Sequence, residues 1–152
     1  MSNNGQYQDA LLAIKEAVAI YKRLVSISPE RYEGDLAESL HNLLKSLTDN
    51  GQHKDALLVA EEAVSIYKQL TENFPERYSE NFVKSMYWLS VRQERNGLYD
   101  DALETAEKCI QLCQEFSLAV DDIFAVWLYW AIKMKKDLVI TQVRWLFEQC
   151  DV

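Results

Sequence analysis

From Tyr7 to Val25 apolar residues are dense, and the polar ones fall at Gln8, Asp9, Lys15, Glu16, Lys22 and Arg23, recurring every seven residues. Seven residues are nearly two turns of an α-helix, so these positions form one narrow polar stripe on a helix that is otherwise apolar. Such a helix has to be covered on more than one side. Ser28-Pro29 then reads as an N-cap followed by proline in the first helical turn. Leu36, Leu40, Leu43, Leu44 and Leu47 carry a second helix to Asn50-Gly51, where glycine supplies the left-handed closure.

The same succession returns after 46 residues. Gly5, Gly51 and Gly97 each stand four residues before Asp-Ala-Leu, at Asp9-Ala10-Leu11, Asp55-Ala56-Leu57 and Asp101-Ala102-Leu103. Pro29-Glu30-Arg31-Tyr32 is matched by Pro75-Glu76-Arg77-Tyr78, and Phe82, Met86 and Leu89 carry the following helix to Asn96-Gly97. A fixed period of this size marks a stack of supersecondary units, so whatever the protein does is done by a stacked surface. The third unit lacks the Pro-Glu-Arg-Tyr connection, which predicts a shorter loop near 117–122. Two last helices are expected, Asp122 to Met134 and, with Asp137 as N-cap, Leu138 to Gln149. No linker or low-complexity tract intervenes. The expectation is one all-α domain over 1–152 of about seven helices: a half-repeat at 5–28, repeats at 29–74 and 75–116, and an atypical helix pair at 119–150.

Composition narrows the function rather than the fold. Only 4 Gly and 2 Pro suit long, unbroken helices. Lys+Arg 16 against Asp+Glu 24 gives a net charge of −8 with no basic segregation, which argues against nucleic acid and anionic membranes as partners. The N-terminus lacks the basic start and apolar core of a secretory signal, and three cysteines make no disulfide framework; both point to the cytoplasm.

With these residues in place, the chain resembles the tetratricopeptide repeat family. The shared features are a helix ending in Gly, an aromatic-type residue two positions on (Tyr7, His53, Tyr99), a packing alanine (Ala10, Ala56, Ala102), and a small mid-helix residue (Ala17, Ala63, Cys109). The period is longer than the usual ~34 residues, as in the arrays of kinesin light chains and STAND-type NTPases. The resemblance implies a right-handed α-solenoid of antiparallel helix pairs, a cytoplasmic, non-catalytic scaffold that binds protein or peptide on a concave groove. On that phasing the groove is lined by His41, Asn42 and Lys45, then Tyr87, Trp88, Val91, Arg92 and Arg95, then Tyr129 and Lys135. Lys45, Arg92 and Arg95 would favour acidic ligands. It also implies that the first helix is the second of a pair. Leu11, Leu12, Ile14 and Val18 should then form an end-to-end interface with an upstream domain or a second copy of the chain. A self-associating section of a longer sensor array is the alternative function.

No cofactor or metal is expected. Cys109 and Cys113 are four apart, a spacing that metal ligands on a helix can use. They occupy the positions of Ala17 and Tyr21 in the first unit, however, and so read as core. Glu16 and Glu62, which repeat at the period, read as a solvated face rather than an acid/base pair.

Overall fold

The structure is a computed structural model that describes residues 3–117 and 123–150. Its regular elements are six α-helices: α1 (Asn3–Ile27), α2 (Pro29–Asp49), α3 (His53–Asn73), α4 (Pro75–Arg95), α5 (Tyr99–Ser117) and α6 (Ile123–Cys150). They fall into two compact units, Met1–Ser85 and Met86–Val152, with α4 contributing its first half to one and its second half to the other.

In the first unit α1 packs on α2 and α2 on α3. Leu36, Leu40, Leu43, Leu44 and Leu47 are buried along α2. Half of the buried positions of α3 are alanines, Ala56, Ala60 and Ala63, and these let the two backbones approach. Burying a leucine is worth about 2 kcal/mol, so the five on α2 dominate this core. Exposed Lys22 and Glu62 meet at 3.0 Å, linking α1 to α3. An exposed pair of this kind adds little stability, about 0–1 kcal/mol.

Two expectations about the first two helices are corrected. Leu11 and Val18 are buried, at 4% and 5% exposure, because they point at α2. Ile14 is half-buried, and of the four residues expected at an end-to-end interface only Leu12 stands open, at 60%. Ser28, expected as an N-cap, makes no side-chain capping bond to α2, which opens on Pro29 alone.

The second unit is built on Ala102, Ala106, Met134 and Leu138, with Tyr87, Val91 and Leu103 packed against them. Ser90 is fully buried and its hydroxyl lies 3.5 Å from the Met134 sulfur. The two helices expected at the C-terminal end are a single one: α6 runs unbroken through Lys135-Lys136-Asp137. Three consecutive polar residues do not stop a helix that lacks Gly or Pro, since each falls on a different side of it. Lys136 and Asp137 face solvent, and Lys135 reaches Glu107 at 3.6 Å. The loop expected near 117–122 lies almost wholly outside the described residues.

The joints at Asn50-Gly51 and Asn96-Gly97 share one geometry. Gly51 and Gly97 have φ of 71° and 76°. Gln52 N–H donates to the Leu47 carbonyl and Leu98 N–H to the Gln93 carbonyl, both at 2.9 Å. The Asn50 and Asn96 side-chain amides donate to the carbonyls of Ser46 and Arg92 at 2.8 and 2.7 Å. The left-handed glycine thus satisfies carbonyls that the helix end leaves open.

Candidate binding site

The Pro-Glu-Arg-Tyr segments that looked like mere connections help to line a depression of about 580 Å³ in the first unit. From α2 come Glu30, Arg31, Asp35 and Glu38, from α4 Arg77 and Tyr78, and from α3 Tyr67. The Arg77 guanidinium sits 5.2 Å over the Tyr78 ring, and the Tyr78 and Tyr67 rings stand 6.5 Å apart. Gly34 makes room for this: a Cβ there would lie 2.8 Å from the Tyr78 hydroxyl oxygen. Mid-helix glycine costs about 1 kcal/mol relative to alanine, and the close approach of Tyr78 is what Gly34 permits in return. Burial, and then the Glu38 carboxylate, raise the Tyr67 hydroxyl above its ordinary pKa, while a hydrogen bond with Asn81 opposes the shift.

The polar groups of this depression come from both long helices: His41 and Asn42 on α2, Asn81, Lys84 and Ser85 on α4. His41 is held below its usual pKa by burial first, then by Lys84 and Lys45, with Glu38 opposing. The folded chain therefore resists protonating His41 more than the unfolded chain does. Above the unfolded value of about pH 6.5 His41 leaves stability unchanged, and as pH falls below it stability is lost. Chemical denaturation across that range should show His41→Gln losing less stability on acidification than the wild type.

The second unit carries its own depression of about 350 Å³, between the second half of α4 and α6. Tyr87, Val91 and Arg95 line it from α4, Trp130, Lys133 and Asp137 from α6. The Lys133 ammonium stands 5.2 Å over the Trp130 ring. Tyr87 also meets Trp127 at 6.0 Å and Trp88 at 5.5 Å between ring centres.

Of the groove residues expected from the sequence, His41 and Asn42 line the first depression, and Tyr87, Val91 and Arg95 the second. Lys45 lies outside the first lining but acts on His41 through its charge. Arg92 is corrected: it is buried, at 5% exposure, and its guanidinium is pushed below the ordinary value by that burial and then by Arg95. Trp88 is half-buried, and its indole Nε1 is enclosed with no hydrogen-bond partner among the described residues. Tyr129 is exposed and stacks edge-on against Trp130 at 5.5 Å, and Lys135 is engaged with Glu107. Tyr78, Asn81, Lys84, Trp130 and Lys133 were missed. The signals were present in the repeated Arg-Tyr pair and in Gly34, a glycine inside a helix with no turn to make.

Cys109 and Cys113 are buried. The hydrogen bond between them, and then burial, push the Cys109 thiol far up. Among the described residues no group of three or more His, Cys, Asp or Glu could hold a metal ion, and no helix is long and apolar enough to cross a membrane.

Helix pairs of this length, repeated with one joint geometry, define a helical repeat protein. Residues 36–76 match the tetratricopeptide repeat family. Among solved structures the fold is similar to BtubC (BKLC) from P. vanneervenii, at TM-score 0.63 and 21% identity over 87% of this chain. It is also similar to the nearly identical TPR-like repeats of a putative kinesin light chain from Podosopora anserina, at TM-score 0.56 and 20% identity over 93% of the chain. A singly substituted form of the latter matches at TM-score 0.57. The chain spans 52% of the length of BtubC and 69% of the Podosopora anserina repeats. No curated protein sequence matches it.

Proposed function

We propose that this protein is a non-catalytic interaction module that takes up an extended protein or peptide segment in the depression of its first unit. The observation that carries this reading is the convergence of two amides, an imidazole and an ammonium from two helices, Asn42 and His41 facing Asn81 and Lys84, around a volume of about 580 Å³. Amides pair with a peptide backbone irrespective of its sequence, while Lys84, with Lys45 behind His41, steers carboxylates of the ligand. The family is one of protein-interaction repeats, and residues 5–28, 29–74 and 75–116 are read as its half-repeat and two repeats. Tyr87, Val91 and Arg95 offer a second contact area in the other unit.

The test is selection of a displayed library of random peptides against the chain. Enriched peptides should carry acidic residues, and Lys84→Glu should weaken them at least tenfold, about 1.4 kcal/mol. Selection of no peptide, or of peptides indifferent to both Lys84→Glu and Arg95→Glu, would overturn the assignment.

A second reading, a structural section that associates end to end, is favoured by α6, where Tyr129, Ile132, Ile140, Trp145, Leu146 and Phe147 are all exposed. Apolar side chains gathered on one terminal helix mark an interaction surface.

A further inference from the structure

We propose that the depression of the first unit takes an extended polypeptide segment in which basic and acidic residues alternate, its cations turned toward α2 and its anions toward α4. This rests on the peptide-binding reading of that site and adds the class of segment it selects.

The charges of the depression are sorted by helix. Glu30, Asp35 and Glu38 line it from α2, while α4 contributes Arg77 and Lys84 and no carboxylate. Arg31 is the exception on the α2 side, and its guanidinium lies 5.4 Å over the ring of Tyr32, which is not part of the lining. His41, also on α2, is uncharged at neutral pH, since burial holds it below its usual value. The sorting arises where the two helices depart from their repeat. Pro-Glu-Arg-Tyr opens both, but 46 residues on from Asp35 stands Asn81, and 46 on from Glu38 stands Lys84.

These charges face one another without meeting. Among the described residues no ion pair joins the two walls; the ion pairs lie at Lys22–Glu62, Glu104–Lys108 and Glu107–Lys135. Glu30, Asp35, Glu38 and Arg77 are exposed and Lys84 is half-buried. Tyr78 reaches from α4 to Gly34 on α2, and buried Tyr67 of α3 is hydrogen-bonded with Asn81. Opposite charges are thus presented on either side of two phenol rings, around the volume of about 580 Å³.

A segment that satisfies both walls at once has to send cations one way and anions the other. Successive side chains of an extended strand point to opposite sides, so alternation of Lys or Arg with Asp or Glu achieves this and a block of either sign does not. From Glu30 to Glu38 the acidic wall runs about 12 Å, and from Arg77 to Lys84 the basic one about 10 Å. At about 3.3 Å per residue an extended chain covers that length in roughly four residues, two of each sign. Alternation also keeps the segment from coiling, because a helix would set its like charges four residues apart.

Fluorescence anisotropy with three labelled octapeptides tests this: Lys and Glu alternating, the same residues in two blocks, and Glu alone. The alternating peptide should bind at least tenfold more tightly than either of the others. Glu38→Lys alters an exposed position, so it should keep the circular dichroism spectrum, weaken the alternating peptide at least tenfold and tighten the all-Glu peptide. Block and alternating peptides bound equally well would show attraction by composition and overturn the alternation. An all-Glu peptide bound as tightly as the alternating one, with Glu38→Lys silent, would leave a site for acidic peptides standing and remove the acidic wall from it. If none of the three binds, the alternating segment is overturned, while the peptide-binding reading is decided by the library selection.

Discussion

Leu47→Ala is expected to lower the stability of the first unit by about 2–5 kcal/mol. Leu47 is 2% exposed in the last turn of α2, beside the joint. Its carbonyl accepts the Gln52 N–H at 2.9 Å, a bond that alanine keeps, so the measured loss reports the side chain and not the turn. The cost has two parts, the transfer of the lost methyl groups and the void that two closely approaching helices are too stiff to close. Leu58→Ala, at an exposed position of α3, should change stability by no more than about 0.5 kcal/mol. Urea denaturation followed by circular dichroism checks both. Equal effects at the two sites would mean that α2 does not pack on α3 in this way.

Lys136→Pro should cost about 3 kcal/mol or more. The position is exposed, so the Lys136 side chain takes no packing with it and the effect starts in the backbone. Proline removes the N–H that bonds to the Ile132 carbonyl one turn earlier and drives its ring against that carbonyl, in the middle of a helix that spans 28 residues. Because Met134 and Leu138 flank the site and both belong to the buried cluster with Ala102 and Ala106, a kink here would pull one of them out. Lys136→Ala should be nearly neutral. Tolerance of proline, with thermal midpoint and helicity retained, would show that the chain turns at this point after all.

That second substitution separates what the sequence spelled out from what it did not. The period, both Asn-Gly joints and the limits of α2 and α4 were legible because Gly and Pro punctuate the backbone at those places by steric rule. The continuity of α6 was not, since charge in sequence resembles a loop until the residues are placed round a helix. The same limit applied to the site. His41 and Asn42 could be placed from the repeat phasing, whereas Arg92 fell on the inner side, because over helices of 21 residues a small error in phasing exchanges a lining position for a packing one. Leu11 and Val18 failed for a related reason. An apolar helix shows that several sides need cover, but it does not say which side the next helix takes. Gly34 and Tyr78 act as a pair across two helices, and such a pair is visible only when both helices are in place.

The joints at Asn50-Gly51 and Asn96-Gly97 close themselves: a left-handed glycine, one backbone bond and one side-chain amide, all supplied by local sequence. The stretch between them therefore brings its own punctuation at each end. A tandem duplication of those 46 residues would insert a finished hairpin with a finished turn and would require no existing loop to be rebuilt. The length of such a protein can therefore change in steps of one whole unit, provided each added unit keeps the chemistry of its joint.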